Sequence, residues 1–234
     1  FNNYKISASL IIAADGKKSS IRNYLNLPIY KKIYPHKAIV INFHHTKNHK
    51  NTAHELFYAT GPLAILPMKK IKKNTFSSSV IWSNKSEFIS NLEKIDKNLI
   101  KLILEERIHS YVGEIIEIDS VQKFNLSAHI NSRFYHERLV FLGDAAHSVH
   151  PIAGQGWNLG VRDIQNCSKI LFEAEELGLD IGSSFVCKKY HNLSYKDAFF
   201  LYQITDKLNS IFIDDSIVGN FFRSFGFKII EKNI

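Results

Sequence analysis

The chain has 234 residues, 45% of them hydrophobic, which is enough for one large domain or two smaller ones with cores of their own. Its net charge of +8 favours anionic partners, but the lysines are dispersed and no basic stripe interleaved with aromatic residues indicates nucleic-acid binding. Cys167 and Cys187 are too few for a disulfide framework or a cysteine zinc site, and no apolar run approaches the ~18 residues of a membrane span. The composition therefore predicts a globular protein of a reducing compartment.

The first element is an apolar run at residues 9–14, which is typical of a buried parallel strand. Asp15 and Gly16 turn the chain at its end. Ser19 and Ser20 are suitable N-caps for a short helix over residues 21–25, from which Arg22 projects. An Asp-Gly turn after a strand is common, so this pattern by itself does not indicate a site.

The next part of the chain has the composition of an antiparallel sheet. Pro28 and Pro35 bracket a connector, and Gly61 with Pro62 forms one of the turns between the runs. The strand-like runs are rich in β-branched and aromatic residues and lie at residues 38–43, 55–58, 63–66 and 78–82. We expect these runs to form a second domain.

Four histidines follow the first of these strands closely. Their spacing matches no zinc pattern and no cysteine accompanies them, so a polar hairpin end is favoured over a metal site. The four residues are His44, His45, His49 and His54.

Residues 86–109 predict one amphipathic helix that packs on the sheet. Its apolar residues recur at intervals of three and four, at Phe88, Leu92, Ile95, Leu99 and Leu102. Residues 114–121 predict a further strand, and residues 125–133 lead the chain back to the first domain.

Residues 138–163 are the most informative stretch. Residues 139–142 are wholly apolar, as in a strand buried on both faces, and Gly143 and Asp144 end that strand. Open α/β sheets bind ligands at the carboxyl ends of their strands, so Asp144 lies where a ligand is expected. A loop with Pro151 and several glycines then leads into a helix from Trp157 to about Ala174. The helix start offers free amides to an anionic oxygen, and the carboxylate can accept hydrogen bonds from hydroxyls.

The remaining sequence predicts helices. The buried face of the helix after residue 157 is expected at Leu159, Ile164, Cys167, Ile170 and Leu171. Gly178 and Gly182 end it, and residues 183–210 and 214–227 predict two more helices.

Two motifs resemble those of the p-hydroxybenzoate-hydroxylase-like FAD-dependent aromatic hydroxylases. Gly-Asp-Ala-Ala-His at residues 143–147, then Pro151 and Gly-Gln-Gly-Trp-Asn-Leu-Gly at residues 154–160, resembles the second FAD motif of that family. Asp-Gly followed by Ser and Arg at residues 15–22 resembles its other motif. Residues 150–160 and 61–67 are most similar to the ubiquinone-biosynthesis monooxygenases of the 2-octaprenyl-6-methoxyphenol hydroxylase type.

The resemblance implies an α/β fold with part of a Rossmann-like FAD-binding domain, an inserted, mainly antiparallel β-sheet substrate domain and C-terminal helices. We expect the FAD-binding domain at residues 1–27 and 133–178, the substrate domain at 28–132 and the C-terminal helices at 179–234. The Gly-x-Gly-x-x-Gly unit that grips the ADP half of FAD in the family is absent from the sequence. The chain is therefore expected to be a C-terminal fragment, without the N-terminal βαβ unit and inactive alone.

The resemblance also implies a reaction. An FAD-dependent monooxygenase, with NAD(P)H or another reductant and O2 as co-substrate, would hydroxylate the aromatic ring of a ubiquinone precursor through a flavin hydroperoxide. Asp144 would bind a hydroxyl of the ribityl chain, and Arg22 would support the loop at the pyrophosphate. The expected cofactor-binding residues are Asp15, Gly16, Arg22, Gly143, Asp144, Ala145, Pro151, Gly154, Gln155, Gly156, Trp157 and Asn158.

Leu63, Ile65 and Pro67 are expected to face the substrate. No catalytic residue and no metal ligand is assigned, and His147 and His150 are expected to serve packing or loop hydrogen bonding rather than proton transfer. Two alternatives remain open: a flavin hydroxylase acting on another phenolic substrate, and a non-catalytic remnant that binds a partner or a membrane. The expected location is cytoplasmic, and peripheral contact with the inner membrane face or with a biosynthetic complex is left open.

Overall fold

The computed structural model describes residues 5–58, 60–69 and 75–213. The described residues form two compact units: those within 1–33 and 127–209 belong to unit 1, and those within 34–126 and 210–234 belong to unit 2. Two long strands, β2 (Ile29–His45) and β6 (Ile115–Asn131), each have one end in unit 1 and the rest in unit 2.

Unit 1 contains a three-stranded sheet in the order β1 (Ile11–Ala13), β8 (Leu139–Phe141), β7 (Tyr135–His136). β1 and β8 are parallel, with Ile11 opposite Leu139 and Ala13 opposite Phe141. A further short strand, β9 (His147–Ser148), pairs with the end of β6. Each apolar run was expected to form a buried parallel strand, and the structure confirms both strands. The expected burial is confirmed for β8 and wrong for β1, where Ile11 and Ile12 are 48% and 50% exposed.

Three helices lie wholly or mainly in unit 1: α1 (Ser20–Tyr24), α4 (Gly156–Glu176) and α5 (Ser184–Ile213). Ser19 caps α1 as predicted, because its hydroxyl accepts the N–H of Arg22 at 3.0 Å. The core joins helices to strands, and the Tyr190 hydroxyl of α5 donates to the Phe141 carbonyl of β8 at 2.9 Å.

The buried face of α4 differs from the prediction at one position. Ile164 is 56% exposed, whereas the neighbouring Asp163 is 1% exposed. Burial follows the helical repeat rather than hydrophobicity, because positions three and four apart share a face. The buried residues of α4 are Leu159, Asp163, Cys167, Ile170 and Ala174.

Unit 2 is built on a sheet in the order β3 (His54–Tyr58), β4 (Gly61–Met68), β5 (Phe76–Lys85), β2, β6. The pairs β3–β4, β4–β5 and β2–β5 are antiparallel. Helices α2 (Ser86–Leu92) and α3 (Lys97–Val112) share a core with one face of this sheet. The expected antiparallel sheet is therefore present.

The predicted single helix over residues 86–109 is two helices. Asp96 interrupts it, since its carboxylate accepts the N–H of Asn98 at 2.7 Å and so caps α3. Because α3 starts at Lys97, its buried face differs from that of the predicted single helix. Leu99 and Leu102 are therefore 52% and 61% exposed. The residues of α3 that pack inward are Ile100, Leu104, Ile108 and Val112.

Two strand boundaries also differ from the sequence prediction. Pro35 lies inside β2 rather than in a connector, and Gly61 with Pro62 begins β4 rather than forming a turn. Gly61 has φ +132°, and a Cβ there would lie 2.2 Å from the Ser83 carbonyl oxygen. The glycine is thus required by the close approach of β5, not by a turn.

The histidines at the end of β2 are not at an exposed polar hairpin end. His44 and His45 are 3% and 0% exposed. His44 Nδ1 lies 2.9 Å from the Ser77 hydroxyl, and His45 lies within hydrogen-bonding distance of the Ser78 hydroxyl and the Val112 carbonyl. Across the described residues, no cluster of side chains is arranged to hold a metal ion.

The helix predicted over residues 214–227 lies outside the described residues. In the described ranges, no helix combines the length and hydropathy needed to cross a bilayer. Cys167 and Cys187 are buried free thiols.

Candidate functional site

Both acidic strand ends lie at one edge of the unit 1 sheet. Because β1 and β8 are parallel neighbours, Asp15 and Asp144 follow strands that end on the same side. The carboxyl edge of a parallel sheet is where α/β folds bind ligands. The structure thus brings together two motifs that are distant in the sequence.

Arg22 connects the two motifs directly. This side chain is 6% exposed, and its Nη1 donates to the Ala145 carbonyl at 3.2 Å, across 123 positions of sequence. Its Nη2 donates to the Lys17 carbonyl at 2.7 Å, and Nη1 also lies 3.0 Å from Nε2 of His129. The guanidinium therefore holds the turn after β1 against the turn after β8.

The turn after β8 is fixed from two further directions. From β6, Asn131 donates its side-chain amide to the Ala145 carbonyl at 3.0 Å and its N–H to the Ala146 carbonyl at 2.9 Å. From α4, Asp163 accepts the Gly143 N–H at 3.0 Å. Asp144 is the exposed residue of this turn, between a buried Ala145 and a half-buried Gly143. The surroundings thus fix the backbone that carries the Asp144 carboxylate.

The Asp15 carboxylate has a different environment. Its Oδ2 accepts the N–H of Ser20 at 2.9 Å and that of Ile21 at 3.2 Å, at the first turn of α1. Burial acts to raise the pKa of Asp15, but hydrogen bonds from Ser19, Ile21 and Ser20 outweigh it and lower the pKa. Asp15 therefore shapes the turn and the helix start, and Gly16 completes that turn at φ +81°.

The start of α4 presents main-chain amides. Its N-cap residue, Gln155, makes no side-chain capping hydrogen bond, and the first turn carries no acidic residue. The amides of the first helical residues have no intrahelical acceptor, so this end can bind an anionic oxygen. Gly154, at φ +60°, and Gly156 border open space, since a Cβ there would meet nothing within 4 Å. By contrast, a Cβ on Gly160 would lie 3.7 Å from the Cα of Gly143, so α4 packs closely on the turn.

Burial and neighbouring charges change the pKa values of the basic groups at this edge. Burial, then the positive charge of Arg22, lowers the pKa of His129 to about 3, so this imidazole is neutral near pH 7. Burial lowers the pKa of Lys17, and the nearby Asp144 partly offsets that effect. Arg22 Nε and Asn131 Oδ1 are buried and have no hydrogen-bond partner among the described residues. A ligand with phosphate oxygens and hydroxyls suits this set of groups.

A profile of the FAD binding domain family matches residues 2–177. The chain belongs to the FAD-binding domain family. The match covers β1, β8 and all of α4, and so includes both turns that Arg22 connects. The glycines that border open space, the exposed Asp144 and the amides of α4 fit the hydroxyl-bearing, phosphorylated part of such a cofactor.

Curated proteins similar to this chain include ubiquinone hydroxylases. The ubiquinone hydroxylase UbiL of Rhodospirillum rubrum is 31% identical over 227 residues, which cover 97% of this chain and 52% of that protein. The 3-demethoxyubiquinol 3-hydroxylase of Escherichia coli is 25% identical, over 97% of this chain and 56% of that protein. The chain thus spans about half the length of these relatives.

Solved structures show the same fold. PqsL of Pseudomonas aeruginosa, in complex with 2-aminobenzoylacetate, superposes with a TM-score of 0.72 at 18% identity, over 88% of this chain and 56% of that one. The p-nitrophenol 4-monooxygenase PnpA of Pseudomonas putida gives a TM-score of 0.67 at 17% identity, over 90% of this chain and 52% of that one.

The residues predicted to bind the cofactor all lie in unit 1. They occupy the turns after β1 and β8, α1 and the segment that leads into α4; their individual roles stay predictions. Sequence reasoning missed Lys17, His129, Asn131 and Asp163 at this edge. Asp163 could have been found, because it lies four residues from both Leu159 and Cys167 on the buried face of α4. The others carry no local signal.

The residues expected to face a substrate lie on β4 of unit 2. Leu63 and Ile65 are 0% and 2% exposed and belong to the core that unit 2 forms with α2 and α3. Side chains alternate along a strand, so Ala64, Leu66 and Met68 lie on the opposite, more open face. Two surface cavities of about 540 and 490 Å³ in this unit are lined by neither Leu63, Ile65 nor Pro67. The burial of Leu63 and Ile65 argues against their contact with a substrate.

Proposed function

We propose that the protein to which this chain belongs is an FAD-dependent monooxygenase that hydroxylates the aromatic ring of a ubiquinone precursor. The observation that carries the proposal is the carboxyl edge of the unit 1 sheet, where Arg22 joins the turn after β1 to the turn that presents Asp144. The names of the curated relatives support the choice of substrate. The proposal covers the whole protein, since the chain spans about half of each relative.

The chain's own residues would bind and orient the cofactor. Asp144 would accept hydrogen bonds from hydroxyls of the ribityl chain, while the amides at the start of α4 would face an oxygen that carries negative charge. Arg22 and Lys17 would supply positive charge to the phosphates. When bound, FAD would supply the redox chemistry: NAD(P)H or another reductant would provide the electrons, and O2 would give one oxygen atom to the electron-rich ring and the other to water.

The substrate would contact the open face of the unit 2 sheet rather than Leu63 and Ile65. On that face Ala64 of β4 is opposite Ile81 of β5, and both are partly exposed. Leu66 and Met68, which are 36% and 39% exposed, continue the apolar surface along β4. A hydrophobic quinone precursor suits such a surface, because its ring and tail bury apolar area.

The test is made on the full-length parent protein. We expect purified protein to show the visible absorbance of bound flavin and to consume NAD(P)H with a ubiquinone precursor, with one oxygen atom added to the ring by mass spectrometry. Folded protein without flavin would overturn the proposal and favour a non-catalytic remnant. Flavin with turnover of a soluble phenolic acid only would keep the cofactor and overturn the substrate.

A further inference from the structure

The Asp163 carboxylate of α4 is buried and bonded twice to one turn. It is 1% exposed, and its Oδ2 accepts the Gly143 N–H at 3.0 Å and lies 2.6 Å from Nε2 of His147. His147 is 2% exposed. Gly143 is the first residue of the turn that carries Asp144, and His147 follows that turn. One oxygen atom of Asp163 therefore contacts both ends of the turn.

Burying a carboxylate at this position is unfavourable in free energy, because the charge loses its hydration. Its neighbours on the same face of α4 are Leu159 and Cys167, both buried. An unpaired carboxylate there would be strongly destabilising, and charge-assisted hydrogen bonds offset the cost of its desolvation. An apolar residue would pack on this face but could not bind the Gly143 amide or an imidazole N–H.

Asp163 also joins the two halves of the site. The same helix that carries Asp163 begins at Gly156, where the free amides lie, and a Cβ on its Gly160 would come within 3.7 Å of the Gly143 Cα. The bonds from Asp163 to the turn therefore fix the separation between the Asp144 carboxylate and the amides at the start of α4.

We propose that Asp163 is a positioning residue that, through the Gly143 amide and the His147 imidazole, sets the geometry of Asp144 for the cofactor's hydroxyls. The proposal rests on the FAD-binding function proposed above. Because Asp163 is 1% exposed, it would not contact the cofactor itself. It acts through the turn, so its loss weakens cofactor binding while Asp144 itself is still present.

The test measures FAD affinity of the full-length parent by titrating apoprotein and following flavin fluorescence. Asp163→Asn keeps the shape but loses the negative charge that strengthens both hydrogen bonds, so we expect at least about tenfold weaker binding. His147→Leu should weaken binding similarly. His147→Gln, whose amide N–H can still donate to Asp163, should retain affinity within about threefold.

The matched control is Asp197→Asn. Asp197 of α5 binds Arg162 Nε of α4 at 2.6 Å and is half-exposed, so its loss removes an ion pair of α4 without touching the turn. Its FAD affinity should equal that of the wild type. If Asp163→Asn does not fold, the difference between His147→Leu and His147→Gln decides the question.

Three results would overturn the proposal. Wild-type affinity in both Asp163→Asn and His147→Leu would refute the role of Asp163 and leave the FAD-binding function intact. Equal weakening in Asp197→Asn would show a general effect of α4 stability. A wild-type parent that binds no FAD would remove the proposed function and this inference together.

Discussion

Arg22 and His129 form a buried pair in which the cation stays charged and the imidazole stays neutral. Their nitrogens lie 3.0 Å apart, and burial together with Arg22 lowers the pKa of His129 to about 3. The ordinary value for histidine is 6.5. His129 therefore binds a proton in the unfolded chain in a pH range where it does not in the folded chain. Acid should thus destabilise the contact between Arg22 and His129.

This pair predicts how stability depends on pH. The contribution of His129 is fully present above about pH 6.5 and is lost as the pH falls from there towards about 3. We expect His129→Gln to reduce the loss of unfolding free energy between pH 7.5 and pH 4.5 by roughly 2–3 kcal/mol, measured by urea denaturation. A wild-type slope in His129→Gln would refute the assignment.

Asp144 is the residue on which cofactor binding should depend most. We predict that Asp144→Ala in the parent loses most of the bound FAD, because hydroxyls of the ligand lose a charged acceptor. The measurement is the ratio of flavin absorbance to protein absorbance after purification. Asp180→Ala is the control, since this exposed carboxylate of unit 1 pairs with Arg138. Unchanged flavin content in Asp144→Ala would contradict the role of Asp144.

Helix α3 shows how a cap decides which residues of an element are buried. Apolar residues occur on more than one face of residues 86–109, so their spacing permits several inward faces. Asp96 selects one of them by starting α3, and this turns Leu104 inward and Leu102 outward. Leu104 and Leu102 thus provide a buried and an exposed leucine for comparison within α3.

The pair gives an element-scale prediction. Leu104→Ala should lower the unfolding free energy by about 2–5 kcal/mol, because it leaves a cavity in the core of unit 2. Leu102→Ala, at a position that is 61% exposed, should change it by about 0.5 kcal/mol or less. Chemical denaturation measures both changes. Equal losses would show that α3 presents a different face to the sheet.

For the whole molecule, the two units have different expected roles. Both contribute a core to stability, but only unit 1 carries the residues predicted to bind the cofactor. A ligand that binds the folded state alone stabilises that state by mass action. The effect of FAD on unfolding should therefore depend on residues of unit 1.

This division predicts a ligand effect on the parent protein. With FAD at about 100 times its dissociation constant, the folded state should gain about 2.7 kcal/mol and the Tm of the apoprotein should rise. The rise should persist in Leu104→Ala, which lowers the starting Tm, and should largely vanish in Asp144→Ala. Differential scanning fluorimetry with and without FAD measures it. A Tm that does not respond to FAD in wild-type protein would contradict the assignment of the site.

The sequence by itself determined the two apolar strands, the acidic turns that follow them, the helix that starts at the glycines and the antiparallel sheet. These features are local: strand burial, turn chemistry and helix starts depend on residues a few positions apart. Its errors were local as well. Ile164 and Leu102 are apolar at positions that the helices turn outward.

Only the tertiary structure decided which distant groups meet. Arg22 reaches Ala145 across 123 positions, and His129 and Asn131 reach the same turn from β6. Asp163 acquires its role because α4 packs against Gly143. Such contacts depend on how strands and helices pack, and sequence spacing does not encode that packing in any short window.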